Sequence, residues 1–135
     1  MFSKLLLIGY VLIILYCTLF VKELSPNYRY DYHLFWSYRA DGDGSFYFKE
    51  NMLNAFLYLP LGILMPWVFK KVKGWQVMLL AICLSVSVEL IQLILKCGFS
   101  ELDDVFHNTL GCVAGFFLYK GIEAVYNENK HNKQY

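Results

Sequence analysis

Glu89 is the residue that helix packing explains least. It stands in an uncharged run between Lys73 and Lys96, where a carboxyl at depth in hydrocarbon costs about 3 kcal/mol by insertion scales. Such a group must be protonated, or be met by a cation or several hydrogen-bond donors. Ser85, Glu89 and Gln92 follow one another at steps of four and three, which sets them on one helical face. Asp104, Asn108, Gly111 and Gly115 repeat those steps further along, with Asp103 and His107 adjoining, and Asn51, Asn54, Tyr58 and Gly62 do so earlier. Three chemistries are open to these groups. Asn54, Glu89, Gln92, Asp103, Asp104, His107 and Asn108 could form one ligand-binding cluster. Alternatively, Glu89 or Asp104 could act as general base with His107 as proton shuttle, although no recognisable nucleophile accompanies them. A metal site is not expected: HExxH is absent, no CxxC pair occurs, and loose oxygen clusters bind weakly. No cofactor is implied.

Each feature also has an architectural explanation. Asn, Gln and Ser join membrane helices through hydrogen bonds worth about 0.6 kcal/mol, and the Gly111/Gly115 spacing allows close helix approach. Asp103 or Asp104 could be a helix N-cap. These explanations cover Asn54, Gln92, Asp104 and both glycines, but leave Glu89 without a reason.

The elements that must position these groups are legible from composition. Of the 135 residues, 58% are hydrophobic and 17% charged, against roughly a quarter charged in ordinary soluble domains. Four uncharged runs approach the ~20 residues a membrane helix needs, giving spans over 5–21, 51–69, 75–95 and 104–120. Runs of this length suit helices rather than barrel strands, so the expected fold is all-α, a polytopic bundle of four transmembrane helices within one membrane domain over 1–126. The run over 5–21 lacks a small-x-small cleavage site after Val21 and reads as a span rather than a secretory signal. Pro60 and Pro66 interrupt the second run, and a bend is expected near Pro60-Leu61-Gly62.

Lys70, Lys71 and Lys73 crowd one short loop, which places it and both termini in the cytoplasm. At about 1.5 Å per residue, Asn54, Glu89, Gln92, His107 and Asn108 then fall within roughly 10 Å of the outer helix ends. The loop from Lys22 to Glu50 is rich in aromatic residues and is expected along the outer surface, as an interfacial anchor or a platform for a lipid-linked ligand. Within it, Asp41-Gly42-Asp43-Gly44-Ser45 opens like a calcium loop, but Met52 stands where the closing glutamate belongs, so it reads as a glycine-rich turn. His33 reads as a surface residue, and residues 127–135 as a flexible cytoplasmic tail. Four free thiols are expected, and a formal charge of +1 without a basic cluster speaks against nucleic acid.

These residues also resemble a known family. Glu50-Asn51-Met52-Leu53-Asn54 with Leu59-Pro60-Leu61-Gly62, then Ser87-Val88-Glu89-Leu90-Ile91-Gln92, then Asp103 through Gly111 match the order and spacing of the VanZ domain. Phe35-Trp36-Ser37-Tyr38 is similar to the segment before the second helix of many members. The resemblance implies that Asn54, Pro60, Gly62, Glu89, Gln92, Asp103, Asp104, Asn108 and Gly111 are family positions. Where members often carry an arginine before the paired aspartates, this chain has Lys96 and Cys97. The resemblance implies a bacterial cytoplasmic-membrane protein linked to lowered susceptibility to teicoplanin-type glycopeptides. The expected partner is a membrane lipid or lipid-linked cell-wall precursor, with homo-oligomerisation open. An intramembrane enzyme on a polar lipid or prenyl phosphate, and a small assembly or regulatory subunit, are the alternatives.

Overall fold

A computed structural model describes residues 2–22, 24–38 and 45–133, the side chains of 45–47 excepted. Residues 41–44 of the expected glycine-rich turn, Arg39 and the end of the tail lie outside the described residues. Among the described residues, four helices make up the fold: α1 (Phe2–Leu19), α2 (Ser45–Val68), α3 (Gly74–Leu95) and α4 (Leu102–Asn132). The all-α class follows as expected. Among the described residues, α1, α3 and the Phe48–Val68 part of α2 are long and apolar enough to cross a membrane. α4 is not among them; its first turn holds Asp103 and Asp104, and it runs past the expected end at 120 into a polar stretch that stays helical to Asn132.

The apolar side chains are distributed as in a protein solvated by lipid. Leu5, Leu12, Leu79, Ile94 and Phe117 are exposed, whereas the buried core is small and centres on Ile14, Tyr58, Leu61, Val77, Ala81 and Cys112. Hydrocarbon solvates the outer faces as well as a protein core would, so close helix packing rather than burial holds such a bundle together. The closest packing is between α2 and α4. A Cβ on Gly111 would lie 1.9 Å from the Ala55 carbonyl oxygen, one on Gly115 2.0 Å from that of Leu59, and one on Gly62 1.9 Å from that of Cys112. The two backbones touch where only glycine leaves room. α2 continues as helix through Pro60 and Pro66.

α3 ends at Lys96, which turns left-handed (φ 55°) and donates its N–H back to the carbonyls of Gln92 and Leu93. The following turn is sewn to the first loop. Ser25 N–H donates to Lys96 O (2.8 Å), Leu24 bridges Cys97, and Ser100 N–H donates to Arg29 O (3.0 Å). A two-residue strand β1 (Tyr30–Asp31) then runs parallel to β2 (Ser100–Glu101). The sequence reading placed the aromatic loop along the surface and gave no sign of this pairing. Tyr28, Tyr30 and Tyr32 remain exposed, and the last two stack at 5.3 Å. His33 is exposed and pairs with Asp31 at 2.8 Å. Its backbone N–H, and then its ring, hold the Asp31 carboxyl below the usual range. All four cysteines are free thiols.

Candidate functional site

α4 begins with Glu101 as its extended N-cap residue, not with an aspartate as the sequence suggested; Asp103 and Asp104 occupy the first turn. Both carboxylates sit at the positive end of the helix dipole. Neighbours on a helix point about 100° apart, so the pair divides between two environments.

Asp103 is fully buried and faces the first loop. It accepts hydrogen bonds from the Phe35 N–H, the Ser37 N–H and the Ser37 hydroxyl, and Asn51 Nδ2 donates to that hydroxyl at 3.1 Å. Phe35 is held left-handed at φ 63°, a conformation that costs a bulky residue about 1 kcal/mol or more; the bond to Asp103 offsets it. One turn on, His107 Nδ1 contacts the Asp103 carbonyl at 2.7 Å and Nε2 contacts the Tyr38 hydroxyl at 2.7 Å. A carbonyl only accepts, so Nδ1 carries a proton and donates to it, while Nε2 is held by the Tyr38 hydroxyl, which can donate or accept.

Asp104 faces α2 and the end of α1. Asn54 Nδ2 donates to it at 2.6 Å, and Lys22 Nζ stands 3.6 Å from its other oxygen. Lys22 reaches it across Gly98, where a Cβ would lie 2.4 Å from the lysine Cδ and where φ is +75°. The left-handed backbone there favours glycine, and an added Cβ would push the lysine side chain aside. Beneath, Glu89 is 6% exposed and accepts the Glu101 N–H at 2.9 Å. Lys22 also acts electrostatically on Glu89, Glu50 and Glu101. Glu101 accepts from Trp36 Nε1 at 3.0 Å. Burial first, then the charge of Asp104, pushes the Glu101 carboxyl up to about 8, against the pull of the Trp36 bond and of Lys22.

These groups surround an open cleft of about 400 Å³, lined by Lys22, Arg29, Trp36, Glu50, Leu53, Asn54, Gly98, Phe99, Glu101 and Asp104. Of the seven residues singled out in the sequence, Asn54 and Asp104 line it, and Glu89 lies behind it through the Glu101 backbone. Asp103 and His107 are turned to the loop instead. Gln92 Nε2 donates to the Thr18 carbonyl (2.7 Å), joining α3 to α1, and Asn108 Nδ2 donates to Ser85 Oγ (2.8 Å), joining α4 to α3. The structure thus divides what the sequence reading took as one cluster. Deep in the bundle the Tyr58 hydroxyl is buried beside Ser85, without a hydrogen bond of ordinary geometry.

Sequence reasoning missed Lys22, Arg29, Trp36, Glu50 and Glu101. Lys22 and Glu50 served only to mark where spans end, and only folding brings them over Asp104. Lys22 now supplies the cation that the departure at Lys96-Cys97 left unassigned. Among the described residues, no group of three or more His, Cys, Asp or Glu side chains is placed to hold a metal ion. Among the described residues, no serine, threonine or cysteine lines the cleft, and both ring nitrogens of His107 are engaged. The arrangement suits non-covalent recognition by charge and hydrogen bonding.

A family model described as VanZ/LLP1 matches residues 7–124, from α1 well into α4. The chain is similar to a protein named Protein VanZ from Enterococcus faecium, with 28% identity over 136 residues, covering 98% of this chain and 78% of that one. No solved structure matches. With the family pattern running through all four helices and through the residues of the cleft, this chain belongs to the VanZ/LLP1 family.

Proposed function

We propose that this chain is a multi-pass protein of the bacterial cytoplasmic membrane, both termini cytoplasmic, whose cleft opens at the outer leaflet and binds an envelope lipid or lipid-linked cell-wall precursor. Occupation or shielding of that lipid lowers susceptibility to teicoplanin-type glycopeptides. Orientation is supported by the lysines at the bundle end away from the cleft, where Lys70, Lys71 and Lys73 form the α2–α3 turn and Lys120 and Lys130 follow on α4. The observation that carries the reading is the triad of Asn54, Asp104 and Lys22 at the mouth of the cleft with Glu89 buried behind it. Such groups are costly in a membrane protein and are kept for ligands or pathways. A base-catalysed reaction has less support, because the ring nitrogens of His107 are held by the Asp103 carbonyl and Tyr38 rather than by Asp104.

The test is glycopeptide binding to intact cells that express the wild-type chain or its Asp104→Asn or Glu89→Gln variant at equal membrane abundance. The expected result is that both variants restore antibiotic binding to the level of cells lacking the protein. Full protection by both would remove the cleft from the function.

A further inference from the structure

The charges of the cleft do not cancel one another. Lys22 is matched to Asp104, and Glu101 is engaged by Trp36. Two lining charges of opposite sign stay without an ionic partner. The Arg29 guanidinium lies over the Phe99 ring at 5.4 Å and makes no ion pair among the described residues. Glu50, exposed in the second turn of α2, likewise pairs with no cation among the described residues, although it feels Lys22 through space. Both line the same cavity without meeting each other. A guanidinium with a flat fork of donors fits a phosphate, and a free carboxylate fits an N–H cation. Leu53 and Phe99 add apolar surface to the same lining.

Building on the proposed function, we infer that the cleft takes a zwitterionic headgroup that carries a phosphate and a primary ammonium, the phosphate against Arg29 and the ammonium against Glu50. A purely anionic headgroup would leave Glu50 unmatched and place its charge beside Glu101 and Asp104. A quaternary ammonium has no N–H to donate to a carboxylate. A neutral ligand would offer neither Arg29 nor Glu50 an opposite charge.

Calorimetric titration of the purified full chain in detergent tests this, with three short-chain lipids as probes: phosphatidylethanolamine, phosphatidylcholine and phosphatidylglycerol. Soluble phosphoethanolamine is titrated in parallel. The ethanolamine lipid should bind about tenfold tighter than the other two, the difference expected when one charge-assisted contact is kept or lost. Binding of the lipid alone marks a membrane ligand, and equal binding of soluble phosphoethanolamine marks a free one; either supports the assigned chemistry. Glu50→Gln should abolish the preference for ethanolamine over glycerol, whereas Arg29→Gln should weaken every phosphate probe by about fivefold. Both residues are exposed, and helicity by circular dichroism verifies that the variants fold. Equal affinity for the three lipids, no binding at all, or an unaltered preference in Glu50→Gln overturns the inference. The cell assay on Asp104→Asn and Glu89→Gln judges the broader function separately, since neither variant removes Arg29 or Glu50.

Discussion

The seam between α2 and α4 and the polar end of the bundle are built on opposite principles. In the seam, Gly62, Gly111 and Gly115 strip away side chains so that two backbones touch. Specificity there comes from shape. At the polar end, the first loop, the 96–101 turn and the first turn of α4 are joined by side chains reaching across 65 or more residues of sequence, as from Trp36 to Glu101 and from Ser37 to Asp103. Specificity there comes from satisfied charges and donors. The seam tolerates no added atom, whereas the polar end leaves room for added volume in an open cleft.

The contrast can be broken most directly at Gly111. Gly111→Ala places a methyl 1.9 Å from the Ala55 carbonyl, which as backbone cannot move aside. We expect a loss of at least ~3 kcal/mol, at the upper end of overpacking penalties, seen as collapse of the folded fraction in detergent. Gly121→Ala, on the same helix with nothing within 4 Å, should change the thermal midpoint by no more than ~2 °C. Equal effects at the two glycines would end the claim that the seam is a backbone contact.

A smaller loss is expected at Asp103. Asp103→Ala deprives the Phe35 and Ser37 amides and the Ser37 hydroxyl of their acceptor, which should cost about 2–3 kcal/mol and release the strained Phe35. Limited proteolysis should then cut within 33–38 while the helices stay protected. Uniform cleavage would show that the polar end and the bundle unfold as one unit.

The mildest effect concerns pH. The folded chain holds the Glu101 proton up to about 8, far above the ordinary carboxyl value of 4.5. The native state therefore binds more protons than the unfolded chain between those values, and stability falls as pH rises through that window. Glu101→Gln, which keeps an acceptor for Trp36, should flatten this slope in thermal melts taken between pH 5 and 8, approximately the window just derived. A slope unchanged by the substitution would assign the dependence to another group.

How much of this could be read in advance differs between the same two regions. Gly111 and Gly115 announce the seam because four-residue spacing on one helix is a local property, set by 3.6 residues per turn. The polar stripes on α2, α3 and α4 are legible for the same reason, and the structure puts Asn54 and Asp104 in one hydrogen bond and buries Glu89. The stripe could not say which of Asp103 and Asp104 would meet the cleft. That depends on how far α4 is rotated about its axis, and the rotation is fixed by Gly111 and Gly115 against Ala55 and Leu59. Lys22 and Glu101 were invisible as site residues because each lies at a helix end, where sequence shows only a boundary. The paired strands β1 and β2 left no trace either, since two residues are too few to show an alternation.

The sequence by itself determined an all-α membrane protein, the faces its helices turn to one another, and its family, because hydropathy, helical period and motif spacing are properties of short stretches of chain. Only the tertiary structure decided that Lys22 neutralises Asp104, that Asp103 serves the loop, and that Arg29 and Glu50 share a cleft without meeting. Those outcomes follow from the rotation and register of whole helices, and no local spacing encodes where two distant charges come to rest.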